Sequence, residues 1–489
     1  MKIAEYAGYD ATGLAELVAR KEVTPKELAK TAAEAIAAAN PKVNAVVELY
    51  QDRIEDLDEK SLPEGPSKDT PFWGVPFLIK DIGQHLDGRK FECGSRLMQG
   101  FVVEGDSHVG KLFKEAGLNI IGRSNAPEYS IAGTSENALY GNTSTPWRHG
   151  YCAGGSTGGG AAAVASGMVP MAHGSDIGGS IRIPASFCGG VGLKPSRGRV
   201  SAGPRVEEGG WGLAMNLGQT KTIRDTAALL DAMAKPQIGD PFWIPKPPES
   251  WLSLIKKQPG KLKIAWSVDP VMDWPVDKEV AAAVEQTAKL LQSHGHEVWE
   301  EAPEFDGEEA GRKMLDVWFF GFADNLDAVG AKLGRKPGPD TLEPITLKIY
   351  EHSKGITPAR FLASHNAINT LRRKLGVLMA KCDVWISPTT AHVAEPNGLY
   401  NLGREGVSAE EYIVTADRPL QFTFQHNVMG TPAISLPLAM HSNGMPIGVQ
   451  LGANPAQEHI LLQLAAVLEQ EMPWKDRVPP LHVTREAGR

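Results

Sequence analysis

The chain has 489 residues, of which 42% are hydrophobic and 22% are charged, proportions that are typical of a soluble globular protein with a large core. Its formal net charge is −8 and it has no long basic run, which argues against nucleic acid as a partner because phosphate binding needs clustered Lys and Arg. It has neither an apolar leader nor an apolar run of about 18 residues, so we expect a cytoplasmic protein with no membrane partner.

Residues 1–60 are predicted to be mostly helical. The segment Thr24-Pro25-Lys26-Glu27 has the capping-box pattern, with Thr at the N-cap, Pro at the first helical position and Glu three residues after the Thr. The alanine-rich helix that follows is expected to end at Asn40, because a residue that precedes a proline disfavours helix.

From about residue 70, short apolar runs alternate with a helical segment. Runs 74–79 and 118–121 predict buried strands, and residues 107–116 predict a helix between them. This strand, helix, strand order predicts an α/β fold. We expect a large mixed, mostly parallel twisted sheet that is covered by helices on both faces.

The second half of the chain begins with a proline-rich segment at 236–251, which is predicted to be a surface excursion or lid. Residues 304–420 are predicted to be largely helical. The other predicted elements are strands at 262–267, 297–299, 433–438 and 447–451, and helices at 277–293 and 457–468.

The Cys and His residues indicate neither a disulfide framework nor a metal site. The four cysteines, Cys93, Cys152, Cys188 and Cys382, are widely spaced and match no zinc pattern, so we expect reduced thiols. None of the 13 histidines belongs to an H-E-x-x-H motif. We therefore expect no metal and no cofactor.

Two serines set in glycine, Ser156 and Ser180, indicate an acyl-transfer site. Serine is a weak nucleophile until a base activates it. Lys80 follows an apolar run and could be that base, because burial lowers the pKa of a lysine. Lys80 by itself would more often be an exposed residue at a strand end.

The glycine-rich loop also fits two other motifs. Gly154-x-Ser156-x-Gly158 fits the nucleophile elbow of α/β-hydrolases, and Gly158-x-Gly160-x-x-Ala163 fits the dinucleotide fingerprint. Both motifs require a strand immediately before them, whereas residues 148–153 predict a loop. His173 and Asp176 could form a triad with Ser180, but such close neighbours rarely align, so His173 is interpreted as structural.

Lys80, Ser156 and Ser180, taken together with the tracts around them, resemble the amidase signature family. The matching tracts are 74–81, 154–160, 174–184, 188–195, 430–435 and 444–450. The resemblance implies the amidase signature fold in a single domain over 1–489. Its parts would be N-terminal helices at 1–60, a catalytic core at 70–205 and a variable, helical, pocket-lining region at 236–420.

The resemblance also implies a Ser–cis-Ser–Lys triad. Lys80 matches the family's base, Ser156 its bridging serine, which follows a cis peptide bond, and Ser180 its nucleophile. The oxyanion hole is expected at the N–H groups of Ile177, Gly178, Gly179 and Ser180. The expected substrate-binding residues are Ser130, Ile131, Thr134 and Thr157. The family commonly has Ser at 157 and a larger residue at 160, where this chain has Thr and Gly.

The expected activity is hydrolysis of the C–N acyl bond of small amides through an acyl-enzyme. Tracts 170–204 and 461–474 look most like those of 6-aminohexanoate cyclic dimer hydrolases and related amidases, which predicts bulky, aryl or cyclic amides. Trp211 and residues 318–320 could line an apolar pocket, although aromatic residues in helices are more often core.

Two alternatives stay open. One is a urethane (carbamate) hydrolase that uses the same site. The other is a tRNA-dependent amidotransferase subunit, which the charge of −8 and the lack of an appended tRNA-binding segment disfavour. We expect a small-molecule amide or carbamate substrate and a monomer or homodimer.

Overall fold

A computed structural model describes residues 1–272, 274–416 and 418–486 of the chain. Its main sheet has eleven strands that come from both halves of the sequence, and a separate ribbon has two strands. In chain order the strands are β1 (Val46–Leu49), β2 (Pro76–Lys80), β3 (Asn119–Ser124), β4 (Glu136–Asn137), β5 (Gly141–Asn142), β6 (Met171–Asp176), β7 (Val191–Lys194), β8 (Met215–Thr220), β9 (Lys263–Trp266), β10 (Glu297–Glu300), β11 (Val384–Pro388), β12 (Ala433–Met440) and β13 (Pro446–Ala453).

The main sheet is mixed. Its strand order is β1-β3-β2-β6-β8-β7-β12-β13-β11-β9-β10, and β4 pairs with β5 in the ribbon. Parallel pairs join β3, β2 and β6 near one edge and β11, β9 and β10 at the other. The pairs between these two blocks, and the pair of β1 with β3, are antiparallel. Parallel neighbours need a crossover connection, which the helix His108–Glu115 supplies between β2 and β3 and the helix Lys278–Ser293 supplies between β9 and β10.

Helices flank the sheet. The described helices are α1 (Ile3–Tyr6), α2 (Ala11–Ala19), α3 (Pro25–Val43), α4 (His108–Glu115), α5 (Gly158–Ala165), α6 (Arg182–Cys188), α7 (Ile223–Met233), α8 (Trp251–Leu254), α9 (Lys278–Ser293), α10 (Gly307–Phe319), α11 (Phe322–Leu333), α12 (Pro344–Lys354), α13 (Pro358–Met379), α14 (Ala409–Glu411), α15 (Phe424–Met429), α16 (Glu458–Glu471) and α17 (Val483–Glu486).

The helices pack in groups around one large apolar core. Helices α5 and α6 pack on each other and on the central strands, and α7, α8 and α16 form a second group. The core joins residues from the first helices to the last, from Tyr6 to Val483. The predicted α/β fold with a large mixed sheet flanked by helices is confirmed.

The predicted start of helix α3 is correct and its predicted end is wrong. Thr24 and Glu27 exchange the two hydrogen bonds of a capping box. The helix continues through Pro41 and ends at Val43, followed by Asn44 in the left-handed conformation. A proline in the last turn removes only one intrahelical hydrogen bond, so the helix can continue past it. Asn40 Oδ1 accepts from the N–H groups of Ala45 and Val46 and so fixes the chain as it leaves the helix.

The largely helical region predicted at 304–420 contains one central strand. Strand β11 (Val384–Pro388) is fully buried and pairs with β13 on one side and β9 on the other. A short apolar run between helices fits either a buried helix or a buried strand, so periodicity alone does not identify it.

The proline-rich segment 236–251 is held to the body of the protein by its backbone. Arg199 donates from Nη1 to the carbonyl oxygens of Ile244 and Pro245 at 3.0 and 2.8 Å. The same guanidinium forms a buried ion pair with Glu458 at the start of α16. One arginine therefore connects the segment to a core helix.

Among the described residues, no helix has both the length and the apolar character that a membrane crossing requires.

We predict that Arg199→Met lowers the free energy of unfolding by about 3–5 kcal/mol, because it leaves the buried Glu458 carboxylate without its partner. Urea unfolding at neutral pH measures this loss. The matched control is Lys354→Met, which breaks the exposed ion pair with Glu351 and should leave the unfolding midpoint nearly unchanged. Equal midpoints for Arg199→Met and the parent protein would contradict the prediction.

Candidate active site

Lys80 is the last residue of β2 and is 1% exposed. Its ammonium nitrogen, Nζ, donates to Ser156 Oγ at 2.7 Å and to Ser175 Oγ at 3.0 Å. Its backbone N–H donates to His173 Nδ1 at 3.3 Å. The side chain that the sequence predicts as the base is therefore in hydrogen-bond contact with the predicted bridging serine.

The environment of Lys80 favours its neutral form. Burial lowers the pKa of Lys80 to about 7, and the negative charge of Asp176 offsets part of this effect. Within the part of the chain that the structure describes, no carboxylate forms an ion pair with Lys80. A lysine with this pKa is largely unprotonated in mildly alkaline solution and can accept a proton.

His173 has a structural role, as predicted. It is fully buried, and burial followed by the nearby charge of Lys80 lowers its pKa to about 3, so the ring is neutral. Because Nδ1 accepts from the backbone of Lys80, the ring proton is on Nε2, which donates to Asn216 Oδ1 at 3.4 Å. The histidine holds the end of β2 in place.

Ser156 lies in a loop that only glycine permits. The peptide bond between Gly155 and Ser156 is cis, and Ser156 is buried. A Cβ at Gly155 would lie 2.4 Å from the backbone nitrogen of Thr134 and 2.5 Å from the carbonyl oxygen of Ala132. The glycines of this loop therefore allow close backbone packing. This packing accounts for the glycines without the hydrolase elbow or the dinucleotide fingerprint, both of which require a strand before the loop.

Ser180 lies in the connection between β6 and α6. In contrast to Lys80 and Ser156, it is only half-buried. The preceding Gly179 has a φ of +145°, and a Cβ there would lie 2.3 Å from Thr423 Oγ1. Thr423 also donates from this hydroxyl to the carbonyl oxygen of Gly178 at 2.5 Å, so it fixes the loop that precedes Ser180.

A buried ion pair clamps both ends of this connection. Arg182 donates to both carboxylate oxygens of Asp176, at 3.0 and 2.9 Å, and both side chains are fully buried. Burial alone would raise the pKa of Asp176, but Arg182 and Asn427 outweigh it and lower the pKa to about 2. The backbone N–H of Ile181 also donates to Asp176, at 3.1 Å.

The four N–H groups predicted as the oxyanion hole have no acceptor within the described ranges. They belong to Ile177, Gly178, Gly179 and Ser180. Backbone N–H groups that are left free around a half-buried serine are suitable donors for an oxyanion.

The four predicted substrate-binding residues have different surroundings. Ser130 has a φ of +59° and a buried hydroxyl without a hydrogen-bond partner among the described residues. Ile131 is buried in an apolar cluster with Phe319. Thr134 donates to Glu136 at 2.7 Å, and Thr157 to the carbonyl oxygen of Ser175 at 3.3 Å. Ser130 thus differs from the two threonines, whose hydroxyl groups both have a hydrogen-bond acceptor.

An aromatic wall adjoins the loop of Ser180. We use this term for Trp211, Phe320 and Phe361. The Trp211 ring is centred 4.9 Å from that of Phe361 and 5.7 Å from that of Phe320, and Trp211 is 47% exposed. A Cβ at Gly210, the residue before Trp211, would contact Ile177 at 3.4 Å. The wall therefore starts beside the side chain of Ile177, in the loop that leads to Ser180.

Sequence reasoning missed several of these residues. Ser175 could have been found, since it alternates with His173 along β6 and so points to the same side as His173. Phe361 and Thr423 are distant in sequence from the glycine-rich tracts, and no local pattern connects them to Ser180.

The described residues contain no group of three or more His, Cys, Asp or Glu side chains that could hold a metal ion. All four cysteines are buried and unpaired, and burial raises the pKa of the Cys152 thiol to about 12.

Comparison with known proteins agrees with this geometry. Residues 27–462 match the family model described as Amidase. The chain is 36% identical to a 6-aminohexanoate-cyclic-dimer hydrolase of Pseudomonas sp. (strain NK87), over 96% of each chain. It is 31% identical to an acylamidase of Rhodococcus erythropolis, again over 96% of each.

A solved structure of 6-aminohexanoate cyclic dimer hydrolase complexed with substrate superposes with a TM-score of 0.90 at 34% identity. The match covers 97% of this chain and 99% of the other. The family model and the relatives extend over nearly the whole sequence, including every tract on which the resemblance rests. The chain therefore belongs to the amidase signature family and is an amidase, a hydrolase of carbon–nitrogen bonds other than peptide bonds.

Proposed function

We propose that the protein hydrolyses small amides by a Ser–cis-Ser–Lys triad, with Ser180 as nucleophile, Ser156 as proton relay and Lys80 as base. The observation that carries this proposal is the 2.7 Å hydrogen bond between the buried Lys80 Nζ and Ser156 Oγ. A buried lysine with a lowered pKa next to a buried serine supports proton transfer, and the half-buried Ser180 is accessible to a substrate.

The proposed reaction has an acylation half and a deacylation half. Neutral Lys80 takes a proton from Ser156 as Ser156 takes one from Ser180, and Ser180 Oγ attacks the acyl carbon. The negative oxygen of the tetrahedral intermediate accepts hydrogen bonds from the N–H groups of residues 177–180. The C–N bond then breaks, the leaving amine receives its proton through Ser156, and water hydrolyses the acyl group from Ser180.

The aromatic wall favours bulky, aryl or cyclic amides. An exposed indole beside two further rings offers stacking and apolar contact to a flat or bulky group. The names of two relatives, a cyclic dimer hydrolase and an acylamidase, are consistent with this class. A carbamate carbonyl would fit the same nucleophile, so a panel of anilides, cyclic amides, aliphatic amides and carbamates decides between the two substrate classes.

Ser180→Ala is expected to lower kcat/KM by at least about 10⁴-fold, because the nucleophile is lost. Ser156→Ala should cost about 10²–10⁴-fold through loss of proton relay. Mass spectrometry of a quenched reaction should find the acyl group on Ser180 in the parent protein and none in Ser180→Ala. Ser293→Ala, which removes an exposed hydroxyl group of α9, serves as the control and should keep the kcat/KM of the parent protein. Substantial turnover by Ser180→Ala would falsify the assignment.

We expect kcat/KM to rise about tenfold per pH unit below pH 7 and to level off above it, since the base must be neutral and its pKa is lowered to about 7. Lys80→Arg, which stays cationic, should lose about 10²–10⁴-fold at every pH. The control is Lys246→Met, which removes another lysine whose pKa is lowered by burial and should keep the rising limb. A limb that disappears in Lys246→Met contradicts the assignment to Lys80.

Trp211→Ala should lower kcat/KM about tenfold for an anilide and much less for an aliphatic amide of equal acyl chain, because only the aryl group contacts the wall. Trp243→Ala is the matched control, since Trp243 is 80% exposed in the proline-rich segment and lies outside the wall. Equal losses on both substrates would show that Trp211 does not select aryl groups.

A further inference from the structure

A second pocket, of about 280 Å³, opens between the N-terminal and C-terminal segments of the chain. Its walls come from residues around α1, from the segment 474–484 and from the ends of α5 and α6. None of the residues proposed for the triad, the oxyanion hole or the aromatic wall lines it. It is therefore separate from the site described above.

The pocket lies behind the predicted catalytic serines. Helix α5 begins two residues after Ser156, and α6 begins two residues after Ser180. The opposite ends of these helices, at Ala165 and Cys188, line the pocket. At 1.5 Å per residue, helices of this length put the pocket about 10–12 Å from the loops that hold the serines.

Positive charge dominates the lining of the pocket. The cationic side chains are Lys221, Lys475 and Arg477, and the acidic one is Asp10. His482 also lines the pocket, but burial lowers its pKa to about 4, so its ring is neutral. Asp10 is already engaged, because Arg224 donates to both of its oxygens at 2.6 Å.

Two of these cations have unused donor capacity. Within the described part of the chain, Lys221 Nζ donates a hydrogen bond to the carbonyl oxygen of Ala7, at a long 3.4 Å. Arg477 donates only to the carbonyl oxygens of Pro437 and Leu438 within those residues, and neither cation forms an ion pair there. Burial lowers the pKa of Lys221 to about 8, with Asp225 and Asp10 opposing, so the ammonium form still predominates at pH 7.

Two indole rings supply the apolar walls. Trp147 Nε1 donates to the carbonyl oxygen of Cys188 and Trp474 Nε1 to that of Lys221, both at 2.9 Å. Because backbone acceptors satisfy both indole N–H groups, the rings are fixed in orientation and offer apolar surface to the pocket.

We propose that this pocket binds a small carboxylate with an aromatic or alkyl body. The carboxylate would accept hydrogen bonds from Lys221 and Arg477, and the body would contact Trp147 and Trp474. Charge-assisted hydrogen bonds are the strong ones in such sites, and a concave, largely apolar pocket with a few polar groups is the usual form of a small-molecule site.

The experiment measures the dissociation constant of 4-fluorobenzoate by ¹⁹F NMR on the full-length protein. We expect the uncharged 4-fluorobenzyl alcohol to bind at least about tenfold more weakly, because it cannot use the cations. Lys221→Met should weaken 4-fluorobenzoate by a similar factor. Lys289→Met, which removes an exposed lysine of α9, should not change the dissociation constant.

A second variant keeps the experiment decisive if Lys221→Met fails to fold. Ala165→Phe fills the pocket, leaves both cations in place and should abolish binding. A crystal grown with 4-bromobenzoate should show the anomalous signal of bromine beside Trp147 and Trp474. Three results would overturn the proposal: an affinity that is unchanged in both variants, bromine at the catalytic site only, or no binding at all. The cations would then serve only to stabilise the negative C-terminal ends of α5 and α6.

Discussion

The proposed chemistry of this protein depends on a lysine that is kept out of water without a carboxylate to neutralise it. Lys80 has an acidic neighbour in sequence, Asp81, but successive side chains of a strand point to opposite sides. Asp81 forms its ion pair with the buried Arg123, which also binds Glu48 and Glu92 at 2.7 and 2.6 Å. Within the residues that the structure covers, this arrangement leaves only hydroxyl groups around Lys80 Nζ, so burial determines its pKa.

Two buried arginines fix the backbone segments around Lys80. Arg123 holds the end of β2 and the loop at 92–94, whose backbone N–H groups donate to Asp81 at 3.0 and 2.9 Å. Arg182 holds the connection that carries Ser180, through Asp176 and Asn427. A buried pair adds little net stability in general, but each of these fixes a backbone segment in one geometry. Ser180 is thus accessible to a substrate in the proposed mechanism, while Lys80 and Ser156 are excluded from solvent.

The sequence was sufficient to predict the parts of this arrangement that depend on local chemistry. Strand β2 and the glycine loop of Ser156 could be placed, because a strand and a close backbone approach both leave local signals. The burial of Lys80 could not, since a lone lysine at a strand end is more often exposed, and its predicted role came from the family resemblance. The antiparallel centre of the sheet, strand β11 and the place of Phe361 in the aromatic wall could not be predicted, although Trp211 and Phe320 were named as pocket candidates. They are set by pairing and packing between segments that lie far apart in sequence, as with Trp211 on Phe361. Pro41 shows the reverse case, in which a local rule fails because the proline stands in the last turn of the helix, where it removes only one hydrogen bond.

The aromatic wall consists of large side chains, whereas the loop of Ser156 consists of closely packed backbone. Gly155 has backbone on every near side, so the loop tolerates almost no variation. Of the three rings of the wall, Phe361 lies in helix α13 and Phe320 follows the last residue of α10. Side chains at these positions can be exchanged without moving the glycine loop. Mutational libraries aimed at new substrates should therefore concentrate on the helices and spare the glycine tract. Under the proposed mechanism, the residues that would select a substrate belong to other segments of the chain than the glycine loop that would cleave it, so the two can evolve independently although they lie close together in space.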